Sequence, residues 1–297
     1  MRFQLKRKES LARGARRLIQ NELAMARCEL KSKVLSVDEQ VHELRRHTKR
    51  VRAILKLIRD GLGGKVYRTE NHRLAQVARR FSDVRDARAC ADALDSILDT
   101  AEMPIFSEKL RNEKQCLFRT RLEQFHEQQA TKAGFREALR QIRSVRHRVA
   151  KCKIRQSDEA LIERGFGRVY SAGRHALKNV RIQPDHRNLH TLRKVATSLR
   201  IIVEILSTRF PRLHEFHRAL QLLTADSGKC LDLGLLKTVL LEEVQRSAGG
   251  HAMESVIRQI GDRHCKLLVH VLQNAEEIFR RKTSHQLRRL KIRQASS

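Results

Sequence analysis

The chain has 297 residues, of which 63 are Lys or Arg and 33 are Asp or Glu, leaving a formal net charge of +30. Its 40% hydrophobic content is enough to build a core, which excludes a disordered basic tail, and self-repulsion on this scale calls for an anionic partner. Aromatic residues make up only 4%, with no Trp, so the stacking platforms that read single-stranded nucleic acid are scarce.

Prolines are limited to Pro104, Pro184 and Pro211, and glycines cluster at 61–64, 228–234 and 249–250. Between these breakers the apolar periodicity is helical. It predicts helices over 9–33, 38–59, 69–80, 85–99, 106–130, 134–153, 158–179, 187–207, 213–223, 229–246 and 253–281. No hairpin signal interrupts them, so the chain reads as all-α, and long amphipathic helices with short connections favour antiparallel bundles.

The first eight residues carry four basic side chains, but no apolar run follows them and no stretch of 18 apolar residues occurs. Neither a signal peptide nor a membrane span is expected. Cys28, Cys90, Cys116, Cys152, Cys230 and Cys265 form no C-x-x-C pair and are expected to be reduced, mostly buried thiols of a cytoplasmic protein.

The helix over 38–59 carries two stripes. Val41, Leu44, Val51, Leu55 and Ile58 form an apolar seam broken only by Thr48. One residue along, and about 100° around the helix, His42, Arg45, Lys49, Arg52, Lys56 and Arg59 form a line with no apolar or acidic member. It covers about 25 Å of helix. Its cations, one turn apart, can engage a linear phosphate chain at several points, arginine by a two-oxygen fork and lysine as a mobile point charge.

A variant returns 148 residues later, with Leu189, Leu192, Ala196, Leu199, Val203 and Leu206 as the seam and His190, Arg193 and Arg200 as the polar line. The same offset lays the helix after Ser157 over the helix after Glu9. We therefore expect two halves, 1–156 and 157–297, each a four-helix bundle, related by an internal pseudo-two-fold and bringing their two histidine helices to a common basic central groove.

Other patterns are less specific. Arg136, Arg140 and Arg143, with His147 and Lys151, make a further cationic line, and Arg13, Arg16 and Arg17 a shorter one; each reads either as a solvated face or as an extension of the binding surface. His186 and His190 have the i, i+4 spacing of zinc ligands but lack the intervening Glu and a third ligand, so no metal site is expected. Asp92, Asp95 and Asp99 share a helix face and are expected to pair with Arg or face solvent.

These residues resemble the conserved histidine α-helical domain, or CHAD, family. The first half of that family shows a V-H-x-L-R…R-R-x-R helix, matched by Val41-His42-Glu43-Leu44-Arg45 and Lys49-Arg50-Val51-Arg52, and then an L-G-x-x-R-D turn, matched by Phe81-Ser82-Asp83-Val84-Arg85-Asp86. Its second half shows an L-H-x-L-R-K helix, matched by Leu189-His190-Thr191-Leu192-Arg193-Lys194 with Arg200 beyond, and a further L-G turn, loosely matched by Ser227-Gly228. The resemblance runs through nearly the whole chain in order. The chain departs from it at Thr197, with Ser198 beside it, where the family has Lys, and at Phe81-Ser82 in place of L-G.

The resemblance implies a non-enzymatic protein that binds inorganic polyphosphate in a basic groove, with no cofactor, and that in some members associates with polyphosphate granules. It points to His42, Arg45, Arg46, Lys49, Arg50, Arg52, Lys56, His190, Arg193, Lys194 and Arg200 as the binding set, with Arg136, Arg140 and Arg143 added from the further cationic line. General binding of DNA or RNA backbones is the alternative, and some weak nucleic-acid binding is expected from charge alone. A phosphohydrolase is disfavoured, because the E-x-E-x-K signature of the catalytic domain often fused to this family is missing, as is a P-loop.

Overall fold

Helix starts follow the polar residues that can cap them. In the computed structural model, which describes residues 3–81, 89–93, 95–96, 129–246 and 251–292, the regular structure is entirely helical. The helices are α1 (Leu11–Glu29), α2 (Val37–Leu57), α3 (Arg59–Leu62), α4 (Gly64–Arg79), α5 (Gln129–Lys151), α6 (Asp158–Ile182), α7 (His186–Leu206), α8 (Leu213–Arg246), α9 (His251–Phe279) and α10 (Thr283–Arg289). Ser10, Ser157 and Asp185 each accept a hydrogen bond from the N–H three residues on. Ser36 and Glu39 cap α2 reciprocally, the Glu39 carboxylate accepting from the Ser36 N–H at 2.8 Å.

The amphipathic faces close into two rings. α1 packs on α2, α2 on α4, α4 on α5 and α5 back on α1, while α6, α7, α8 and α9 make a second closed ring in chain order. Every seam position is buried: Val41, Leu44, Thr48, Val51, Leu55 and Ile58 in α2 and its cap, and Leu189, Leu192, Ala196, Leu199, Val203 and Leu206 in α7. Thr48 does not break the packing, since its hydroxyl donates to the Arg45 carbonyl at 3.0 Å.

The rings share one continuous apolar cluster, because α2 packs on both α6 and α7. The crossing is close. A Cβ on Gly165 of α6 would stand 2.2 Å from the Leu57 carbonyl oxygen at the end of α2. Arg168 of α6 pairs with Asp60 of α3 at 2.5 Å. The segment before α1 also crosses over: Phe3 and Leu5 are buried, Leu5 N–H donates to the Ile205 carbonyl and Thr208 donates to the Leu5 carbonyl.

Several boundaries differ from the periodicity. The expected helices 213–223 and 229–246 are one 34-residue helix, α8. Gly228 and Gly234 lie inside it against side chains of α7 and α9. Packing there outweighs the glycine penalty of about 1 kcal/mol each. The break expected before 134 is also absent, Gly134 lying inside α5 under the Phe81 ring. A short helix, α3, precedes α4, and the turn between them needs Gly63, whose φ is +82°. Of the predicted helix 85–99, the described residues 89–93, 95 and 96 are helical; the Arg85-Asp86 motif, Asp99, Cys116 and nearly all of 106–130 lie outside the described residues. Among the described cysteines Cys90 and Cys230 are buried, Cys152 is half-buried and Cys28 and Cys265 are exposed, all as free thiols, so burial is less general than expected.

Gly165→Ala is expected to destabilise the protein by about 3 kcal/mol, since backbone rather than a movable side chain blocks the new methyl. Urea denaturation checks this as a lowered midpoint with the slope unchanged.

Candidate anion-binding site

α2 presents its basic line as the sequence predicts up to Lys56. His42 and Lys49 are exposed, and Arg45, Arg52 and Lys56 are half-buried. Arg59 is turned away, because α2 ends at Leu57 and Arg59 opens α3 with its guanidinium over the Tyr67 ring at 5.1 Å.

The neighbours seat these cations. Arg45 Nη1 donates to the Ala78 carbonyl of α4 at 2.5 Å, and Arg52 Nε to the Asn71 Oδ1 of α4 at 2.9 Å. Lys56 Nζ crosses between the rings to the Ser198 hydroxyl of α7 at 2.7 Å, and that hydroxyl donates to the Lys194 carbonyl. Burial, followed by Arg52 and Lys194 beside it, pushes the Lys56 ammonium down to about 8. Burial and then Arg52, Arg79 and Arg45 push Lys194 down too. Arg52 is lowered by burial, with Arg79 adding to the effect and Tyr67 opposing it. Five cations from α2, α4 and α7 thus repel one another across the junction of the rings, an arrangement that an anion would relieve.

Other candidates fall elsewhere. Arg136, Arg140 and Arg143 lie exposed along α5, which packs on α1 and α4, and Arg140 forks onto Glu137 of its own helix. Of the shorter line on α1, Arg16 donates to the Cys152 carbonyl and Arg17 pairs with Glu9. His190 stacks on His186 at 6.0 Å between ring centroids.

Arg46 and Arg50, of the expected binding set, face carboxylates instead. Arg46 pairs with Glu43 and stands 3.8 Å from Glu29. Arg50 reaches Glu22 at 3.2 Å and Glu204 of α7 at 4.0 Å, and its guanidinium lies 4.4 Å above the Phe3 ring. Arg200 faces the same Glu204 at 3.9 Å. Burial lowers Arg200 and raises Glu204.

At the centre of this network is His47, fully buried, with Nδ1 2.6 Å from Glu22 and Nε2 2.7 Å from Glu29. Glu29, Glu43 and His47 bring atoms able to ligate a metal within 4.8 Å of one another, but the Arg46 guanidinium already stands among them. His47 was missed in the sequence, although a signal exists. It lies three residues after Leu44 and four before Val51, on the buried side, as Glu22 lies between Leu18 and Ala26.

A family model described as the CHAD domain matches residues 17–241. The chain belongs to the CHAD domain family. Its fold is similar to that of the crystal structure of the CHAD domain from the plant Ricinus communis, with a TM-score of 0.62 at 13% identity over 99% of this chain and 96% of that one. No curated protein matches the chain. Among the described residues no helix is long and apolar enough to cross a membrane. In this CHAD domain Ser198, beside the departure from the family motif at Thr197, accepts from the Lys56 ammonium of the other ring.

His47→Ala is expected to cost about 3–5 kcal/mol by stripping the buried Glu22 and the half-buried Glu29 of a shared partner. Thermal unfolding of the variant is the check, with a melting point well below that of an exposed control such as His42→Ala.

Proposed function

We propose that this CHAD domain binds inorganic polyphosphate without catalysing a reaction, holding the chain along a basic groove between halves 1–156 and 157–297. The observation that carries this reading is the crowding of Arg45, Arg52, Lys56, Arg79 and Lys194 at the junction of α2, α4 and α7, where burial and mutual repulsion lower the proton affinity of Arg52, Lys56 and Lys194. His42, Lys49, His190 and Arg193 extend the line along α2 and α7. Polyphosphate has no bases, so charge, spacing and shape suffice to recognise it; the family membership supports the same choice. Arg46, Arg50 and Arg200 serve chiefly the carboxylate network, and Arg136, Arg140 and Arg143 a solvated face. Association with polyphosphate granules in the cytoplasm follows as the cellular expectation.

Replacing His42, Arg45, Lys49 and Arg52 together by Gln is expected to weaken polyphosphate binding about a hundredfold, at roughly 0.7 kcal/mol per side-chain contact, while leaving helical circular dichroism intact. Retained affinity in the folded variant would reject the site. Long-chain polyphosphate should also outcompete DNA and RNA at equal salt; equal competition would make this a general backbone binder.

Binding should be linked to protons through Lys56. The free protein holds this ammonium down at about 8, and a bound anion favours its charged form, so binding takes up a proton. Affinity is expected to fall as pH rises from about 8 toward 10.5, by up to about tenfold per unit. Lys56→Arg, which stays charged, should lose this slope; titrations across that range decide it.

A further inference from the structure

Arg193 of α7 lies across α8 at Gly228. A methyl group on that glycine would stand 2.6 Å from Nη2 and 3.0 Å from Cζ of the guanidinium. Nothing in the backbone asks for glycine there, because Gly228 lies inside an uninterrupted helix and among the described glycines only Gly63 has a positive φ. Glycine inside a helix is less stable than alanine. What its bare Cα provides is room for the arginine.

The arginine that the 148-residue offset places in register, Arg45, is seated likewise. Its Nη1 donates to the Ala78 carbonyl of α4. In each half the arginine three residues after the motif histidine therefore meets the following helix of its ring, through a hydrogen bond to a backbone carbonyl in one and against a bare Cα in the other. A guanidinium held in this way loses less freedom when it takes a phosphate than one swinging in solvent.

We propose that Gly228 is a positioning residue for anion binding: it seats Arg193 against α8, one turn beyond His190 and next to Lys194, so that the second half presents a fixed guanidinium. This rests on the polyphosphate reading above. It assigns to Gly228 a role through Arg193 and no contact with the ligand.

The test is a double-mutant cycle on the full chain, with wild type, Gly228→Ala, Arg193→Gln and the double variant titrated with long-chain polyphosphate at fixed salt. Gly228→Ala is expected to melt no lower than wild type and yet bind about tenfold more weakly, the size of one lost charge-assisted contact. In the Arg193→Gln background the same change should have no further effect. Unchanged binding in Gly228→Ala, or an equal loss in both backgrounds, would overturn the proposal. A wild type that does not bind polyphosphate would remove the functional reading itself. Labelling by phenylglyoxal, read at Arg193 by mass spectrometry, tests the seating without any ligand: faster modification in Gly228→Ala supports it, and an unchanged rate overturns it.

Discussion

Burial weakens the hold of Arg52, Lys56 and Lys194 on their protons, Arg52 adds to the effect at both lysines, and the crossing of α2 on α6 and α7 keeps the three together. The cations do not choose this arrangement; the apolar seams impose it. Val51 and Leu55 of α2, and Leu192 and Leu199 of α7, are fully buried, so their polar neighbours are carried to the junction whatever their charge. Hydrophobic burial thus sustains a local electrostatic repulsion that an anion would relieve.

The same helix manages its charge in the opposite way on its other flank. Arg46, His47 and Arg50 are matched by Glu22, Glu29, Glu43 and Glu204, which draw α1, α2 and α7 together through buried and half-buried pairs. α2 therefore sorts its cations into two groups. One is neutralised by the protein. In the other, Arg45, Arg52 and Lys56 donate to the Ala78 carbonyl, the Asn71 amide oxygen and the Ser198 hydroxyl, which orient the side chains.

The two rings bury different side chains at positions 148 residues apart. At the 148-residue offset Glu22 corresponds to Tyr170 and His47 to Val195. Where the first ring buries His47 against the Glu22 carboxylate, the second buries an aromatic ring whose hydroxyl donates to the Ile278 carbonyl at 3.0 Å. Tyr170 also packs with Phe166, Phe216 and Phe279. The buried imidazole needs a partner at each ring nitrogen, whereas the tyrosine hydroxyl is satisfied by backbone carbonyls.

The sequence by itself determined the helical class, the two seams and the basic line from His42 to Lys56, because heptad periodicity is local and each seam residue reports its own burial. It also exposed the family through motifs spread in order along the chain. Only the tertiary structure decided which cations act together. Arg46 and Arg50 stand in the same candidate binding set as Arg45 and Arg52, and they part from them because Glu29 and Glu43 stand beside Arg46 and Glu22 and Glu204 beside Arg50, while α4 stands beside Arg45 and Arg52. The continuity of α8 through Gly228 was likewise hidden, since glycine reads as a breaker until the arginine of another helix is seen to occupy the space it leaves. Charge partners and close approaches are relations between distant segments, and periodicity within one segment carries no record of them.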